Sequence, residues 1–306
     1  MHSNPFTILH RHFAAHSYLR AVGYMLLSCF GFSLMSVGVR LLDHEAMNPV
    51  LIVMLRNAVT LALLFPIAAR HRFKLLHTQR LRGHLMRGSI GAVGMITWTY
   101  CLTIMPLAHA TALSFTSPLF ATLFAVLFLK EKANAKRWVA LLIGFAGALI
   151  IIRPDPQQFD WNSLLVMFAT TSWAITGMLV KTLTRTEPPM RIVVYMNIVM
   201  LLWAAPIGLA HWQMPSAAGW ATLLMIACCS ILMHFSMAKA YSLAPVVSLM
   251  PFDFTRLIYT AILAWLLFNE GSHLNTWLGA AIIIGSAVLS NHAHRSDAKA
   301  ALTGTE

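Results

Sequence analysis

Acidic side chains are scarce in this chain: ten Asp and Glu face 22 Lys and Arg across 306 residues. Charge of either sign is rare as well, at 10% of residues, where soluble domains carry about a quarter. With 58% hydrophobic residues, that excludes an ordinary soluble domain. Cysteine is limited to Cys29, Cys101, Cys228 and Cys229, all inside apolar segments, so no disulfide framework is implied. The 14 histidines lie mostly in tails and loops, and no His or carboxylate pair recurs at metal-ligand spacing, so no metal or other cofactor is expected. No P-loop pattern occurs, which argues against ATP-driven work by this chain alone. No stretch between apolar segments is long enough to fold separately.

What the chain does have is a succession of membrane-length apolar runs. Ten can be marked, at 21–42, 49–69, 88–105, 107–129, 138–152, 163–181, 192–210, 218–238, 246–268 and 276–291. A spanning helix needs about 20 mainly apolar residues, so 138–152 and 276–291 borrow flanking residues. The first run follows Arg11 and Arg20. It is longer than a signal-peptide core and lacks a clear small-residue cleavage site, so it reads as a retained helix.

The chain also repeats itself faintly. Pro106, Phe115, Thr116, Ala125, Leu127, Glu131 and Trp138 recur 139 positions later as Pro245, Phe254, Thr255, Ala264, Leu266, Glu270 and Trp277. Asn57 and Pro66 recur at Asn197 and Pro206. Five runs per half is an odd number, which inverts the second copy. The expected fold is therefore all-α and integral to the membrane, with ten transmembrane helices arranged as two five-helix inverted repeats. The expected boundaries are a 1–20 N-terminal tail, a 21–152 repeat, a 163–291 repeat and a 292–306 tail.

The positive charge follows topology rather than a nucleic-acid-binding face. With the N-terminus inside, the loop and tail cations fall on the cytoplasmic side, six of them between Arg70 and Arg87; only Arg40 and Arg153 fall outside. That asymmetry places both termini in the cytoplasm. Asp43, Glu45, Asp155, Asp160 and Glu270 are expected on the outer side.

The segments ATALSFTSPLFATLFAVLFLKEK (110–132) and LAPVVSLMPFDFTRLIYTAILAWLLFNE (243–270) each carry near their end a Glu that stands seven residues before a Trp that opens the next helix. With Arg56, Trp173-Ala174 and GFAGALII (144–151), they make residues 20 to 291 resemble the ten-helix EamA branch of the drug/metabolite transporter superfamily. The resemblance implies an inverted repeat of five helices and a carrier of amino acids, nucleotide-like metabolites, vitamins or drugs. It fits a bacterial inner (plasma) membrane.

Several residues could contact cargo. Arg56 stands about 10 Å into its helix, where a cation is costly unless it meets water or a partner. It reads either as a contact for an anionic group or as an internal strut. Asp253 and Arg256, three apart, share a helix face and can pair; they read as a structural pair or as a cargo or proton site. Pro251 marks a bend beside them. Pro118, Ser114, Thr116 and Ser117 mark the related fourth segment, where Pro kinks the helix or frees a carbonyl. His234 is the one histidine deep in a span, and it reads as a titrating or a packing residue. Trp98, Trp173 and Tyr259 are candidate cavity walls for a planar or cationic cargo. Glu131 and Glu270 read as helix caps. Ala140 and Gly144, and likewise Ala281 and Gly285, have the spacing of close helix contacts, internal or in a homodimer.

The function expected is thus a secondary transporter of a small polar or amphipathic metabolite. Its partners are that molecule and the bilayer. The rivals are a membrane-embedded enzyme, for which no nucleophile–base arrangement can be read, and a structural or receptor-like membrane protein, for which the short loops leave little docking surface.

Overall fold

In the computed structural model, residues 5–42, 45, 47–70, 74–104, 113–152, 161–268 and 274–303 are described. Among them there is no strand. The helices are α1 (Pro5–Leu41), α2 (Pro49–Arg70), α3 (Leu81–Ile104), α4 (Ser117–Leu129) and α5 (Ala135–Ile152). They continue as α6 (Trp161–Leu183), α7 (Pro189–Ala210), α8 (Ala217–Leu243), α9 (Val246–Phe268) and α10 (Leu274–Thr303). By length and composition eight of these described helices can cross a membrane. The other two depart for visible reasons: α3 opens with Arg82, His84 and Arg87, and α4 has only 13 residues. Helix α1 begins at Pro5 rather than at 21, and α10 runs on to Thr303, so both extend into segments expected as tails.

The fourth segment, expected as a helix from 107, is helical only from Ser117, and residues 105–112 lie outside the described set. Thr116 bends the chain by donating its hydroxyl to the Leu113 carbonyl at 2.6 Å. Pro118 sits in the first helical turn, where a missing N–H costs nothing, so it starts the helix and does not kink it. At the other end Lys130 takes a left-handed φ of 56°. The Lys130 and Glu131 amides both donate to the Ala125 carbonyl, closing a Schellman-type turn.

Helix α9 breaks at Phe254 into Val246–Asp253 and Thr255–Phe268. Pro251 supplies no N–H to the first piece, and α1 satisfies carbonyls around the break. The Cys29 thiol donates to Phe252 O at 3.6 Å, and the Ser33 hydroxyl donates to Arg256 O at 2.9 Å.

The most extensive packing joins α1 to α8, α5 to α10, α3 to α6 and α2 to α7; α4 lies on α6, α9 on α1, and α4 meets the first piece of α9. Small residues permit the tightest crossings. A Cβ on Gly31 would stand 3.1 Å from the Met233 amide, and one on Gly279 would stand 2.6 Å from the Gly147 carbonyl. Ala140 and Gly144 pack internally, with Gly144 against Phe254 and Ser286. Ala281 and Gly285 instead face outward.

Candidate functional site

The break in α9 gathers the first group of candidate residues. Across it, Arg256 Nη2 lies 3.6 Å from Asp253 Oδ2, with the two side chains 12% and 22% exposed. The guanidinium also sits over two rings, 4.4 Å from the Phe115 centroid and 5.1 Å from that of Phe32. Each such contact is worth about 0.5–2 kcal/mol as desolvation rises. Arg256 Nε and Nη2 remain buried without a hydrogen-bond acceptor, so the ion pair leaves the cation under-satisfied. Phe115 and Phe254 stack at 6.1 Å, which ties the turn before α4 to the break in α9. Tyr259 packs edge-on to Phe30 at 5.6 Å.

A second group lies between α3, α4 and α6. Trp98 and Trp173 pack with centroids 5.2 Å apart. Beside them the Thr116 and Thr170 hydroxyls are 3.4 Å apart, and Thr170 donates to the Met167 carbonyl at 2.9 Å. Ser114 is buried. Rings, hydroxyls and one ion pair on neighbouring elements form a surface able to stack on a flat solute and hydrogen-bond its rim.

Arg56 and His234 belong to a third group. Arg56 is 5% exposed on α2, and it donates to the Met35 thioether at 3.5 Å, a weak acceptor. Met35 and Phe32 are one turn apart on α1, so Arg56 and Arg256 approach the same stretch of that helix. His234 on α8 is partly buried. It lies within electrostatic reach of Arg56 and of Arg87, which is itself buried on α3. The spacing rule that singled out Arg56 applies equally to Arg87, six residues inside α3, yet Arg87 reads as a loop cation when the span is started at 88.

Glu131 is a cap, but not of the helix that follows it in sequence. Its two carboxylate oxygens accept the Val246 and Val247 amides at 3.1 and 3.0 Å, holding the start of α9 from the far half of the chain. Lys181 secures the preceding turn by donating to the Tyr241 and Ala244 carbonyls at 2.5 and 2.7 Å. Glu270, the repeat mate of Glu131, lies outside the described residues. Sequence spacing could not find these contacts, nor Phe32, Cys29 and Ser33, because each depends on which helices become neighbours. Among the described residues no group of three metal-ligating side chains occurs.

The chain's likeness to known proteins bears on what such a surface handles. The model of the EamA-like transporter family matches residues 19–153 and again 160–292. The chain belongs to the EamA-like transporter family. A riboflavin transporter of Brucella anthropi is 34% identical over 271 residues, covering 86% of this chain and 95% of that protein. An S-adenosylmethionine uptake transporter of Rickettsia felis is 31% identical, covering 89% of this chain and 92% of that one. A solved crystal structure superposes with a TM-score of 0.74 over 92% of this chain and 98% of the other, at 15% identity, so it speaks to the fold alone. This EamA-like protein is an integral membrane transporter of small metabolites. Both of these relatives are named as transporters.

Proposed function

We propose that this transporter imports a flat heteroaromatic metabolite of the riboflavin class across a bacterial inner membrane, by alternating access between two inverted five-helix repeats. The cargo reading is carried by the 34% identity to a riboflavin transporter over nearly the whole of both chains. The Trp98–Trp173 pair and the Phe115–Arg256–Phe32 sandwich support it, since both suit a planar ring. Asp253, Arg256, Tyr259, Ser114 and Thr116 surround the same region and would bond the polar rim.

The mechanistic reading draws on the packing. Exchanging α1–α5 for α6–α10 turns the α1–α8 contact into α6–α3 and the α4–α6 contact into α9–α1, and it maps α2–α7 and α5–α10 onto themselves. Such symmetry between units 21–152 and 163–291 is what rocking around a central site requires. Placement of both termini in the cytoplasm follows from the charge asymmetry.

The test is uptake by vesicles containing the purified protein, with riboflavin and S-adenosylmethionine supplied separately. Saturable riboflavin uptake is expected, reduced at least tenfold by Trp173→Ala at matched protein level. Uptake of S-adenosylmethionine alone would reassign the cargo. Cross-links at the two membrane faces should trap opposite states, and simultaneous formation of both without loss of flux would refute rocking.

A further inference from the structure

The scarcity of acid recurs in the interior. Asp253 is the one carboxylate inside a described span, and it faces Arg256. Other buried cations reach carbonyl oxygens: Arg137 donates to Lys132 O at 2.8 Å, and Lys181 donates to Tyr241 and Ala244. Arg56 and Arg87 have no carboxylate or carbonyl partner among the described residues, although each is only 5% exposed. Arg56 Nε, Arg87 Nε and His234 Nδ1 are all buried and unsatisfied.

Their depths place all three in the middle of the membrane. Arg56 is seven residues from the start of α2 and Arg87 six from the start of α3, and these helices run antiparallel. At 1.5 Å per residue each lies about 9–10 Å from opposite ends of a core about 30 Å thick. They are therefore about 10 Å apart along the membrane normal. His234, nine residues before the end of α8, falls between them in depth and feels the charge of both. Its neighbour Met233 is fixed against α1, where Ser28 donates to the Met233 carbonyl at 2.9 Å. Three helices thus carry basic groups, with no carboxylate partner among the described residues, in a low-dielectric interior, where isolated cations are costly.

We propose that Arg56, Arg87 and His234 form a buried oxyanion site that takes a phosphate- or carboxylate-sized group, either the charged end of a cargo molecule or a free ion. Two guanidinium forks suit such groups because their planar donors match paired oxygens, and His234 adds a ring nitrogen between them. The site rests on the carrier reading but not on riboflavin as cargo.

The experiment titrates sodium phosphate, and separately acetate, against sodium chloride at constant ionic strength, and follows thermal unfolding of the purified protein in detergent. An ion bound by the native state raises the transition saturably. Wild type should show that rise. Arg56→Gln and Arg87→Gln should each lose it, the corresponding Lys variants should keep a weaker one, and the exposed-site control Arg185→Gln should keep it in full. If a Gln variant does not fold, the shift in half-saturation between wild type and its Lys variant decides, and an unchanged value overturns the site. No saturable rise in wild type, or an undiminished rise in both Gln variants, also overturns it. Uptake of radiolabelled phosphate by vesicles marks a free ion, whereas binding without flux marks the charged group of a cargo; either supports the site. This readout needs no riboflavin, so it can fail while the cargo reading stands, and the reverse.

Discussion

Two loops at opposite ends of the bundle perform the same task with different chemistry. The α1–α2 loop supplies Glu45, whose carboxylate accepts the Ser216 hydroxyl and the Ser216 amide, the latter at 3.3 Å. Ser216 in turn caps α8 by accepting the Gly219 amide at 3.0 Å. The α6–α7 loop supplies Glu187, which accepts the Thr78 hydroxyl at 2.6 Å just ahead of α3, while Thr78 accepts the Arg80 amide at 2.9 Å. Each carboxylate thus fastens the start of a helix from the other half of the chain. The difference lies in what else they meet. Among the described contacts Glu45 finds only neutral donors. Glu187 also takes a 2.5 Å bond from Arg191, four residues on, and stands 3.9 Å from His84, with its side chain only 3% exposed. His84 stacks on Tyr195 at 4.4 Å, and Tyr195 donates to the Leu76 carbonyl at 2.6 Å. One fastening is buried and paired with a cation, and the other is partly exposed and meets only neutral donors. The comparison teaches that equivalent geometry need not carry equivalent energy.

Removing Glu187 should have the largest effect. Glu187→Ala leaves Thr78 and the Nη1 of Arg191 without their acceptor and should cost about 2–3 kcal/mol, somewhat below a fully buried pair because Arg191 is 19% exposed and keeps its bond to the Lys74 carbonyl. Thermal unfolding in detergent checks this; a loss no greater than that of Glu45→Ala would erase the contrast.

Acid should separate the two ends next. Burial pushes the Glu187 carboxyl up, but the bonds from Thr78 and Arg191 and the nearby charge outweigh it and hold the group below the usual carboxylate range. A depressed folded-state value stabilises the fold above the unfolded value and loses that contribution as pH falls through the folded one. Wild-type stability should therefore decline below about pH 4.5, the unperturbed carboxylate region, and Glu187→Gln should flatten that decline.

Glu131 sits between the two cases, since both of its carboxylate oxygens are engaged, as in Glu187, but by backbone amides and not by a cation. Glu131→Gln should cost about 1–2 kcal/mol and increase hydrogen exchange at Val246 and Val247. Unchanged exchange there would remove the cap. A smaller loss, about 1 kcal/mol, is expected for Ser216→Ala, a cap deletion near solvent. The smallest effect would come from copying one fastening onto the other. Pro49 stands four residues after Glu45, where Arg191 stands relative to Glu187, so Pro49→Arg supplies the missing cation. Its gain should be under about 0.5 kcal/mol, because an exposed pair is screened and the helix loses a favourable first-turn proline.

The sequence made some of this legible. Asp253 and Arg256 were readable as partners because three residues on a helix put side chains on one face, and they lie 3.6 Å apart. Trp98 and Trp173 were readable only as separate rings; nothing in their positions, 75 residues apart, announces a 5.2 Å contact. Arg56 was conspicuous because it interrupts an apolar run. Arg87 was not, because it sits where loop charge is expected, and only the early start of α3 carries it inside. Glu131 was recognisable as a cap by residue type, while the helix it caps lies 115 positions away.

By itself the sequence determined that this protein lives in a bilayer as a bundle of helices. Scarce charge, long apolar runs and the need to satisfy every backbone amide inside lipid leave no other solution for this composition. It made most of the interior charge legible too, Arg56, Arg256 and His234 against Asp253, because an ionisable side chain stands out in an apolar run, while Arg87 was brought inside only by the early start of α3. Tertiary structure decided which of those charges meet. Helix neighbours are chosen by close crossings at Gly31, Gly147 and Gly279 and by carbonyls freed at the break in α9, and those choices join residues from opposite halves of the chain. Local spacing reaches one or two turns; the pairing of Arg256 with Phe32 and Phe115, and of Glu131 with α9, arises from packing at distances no local rule spans.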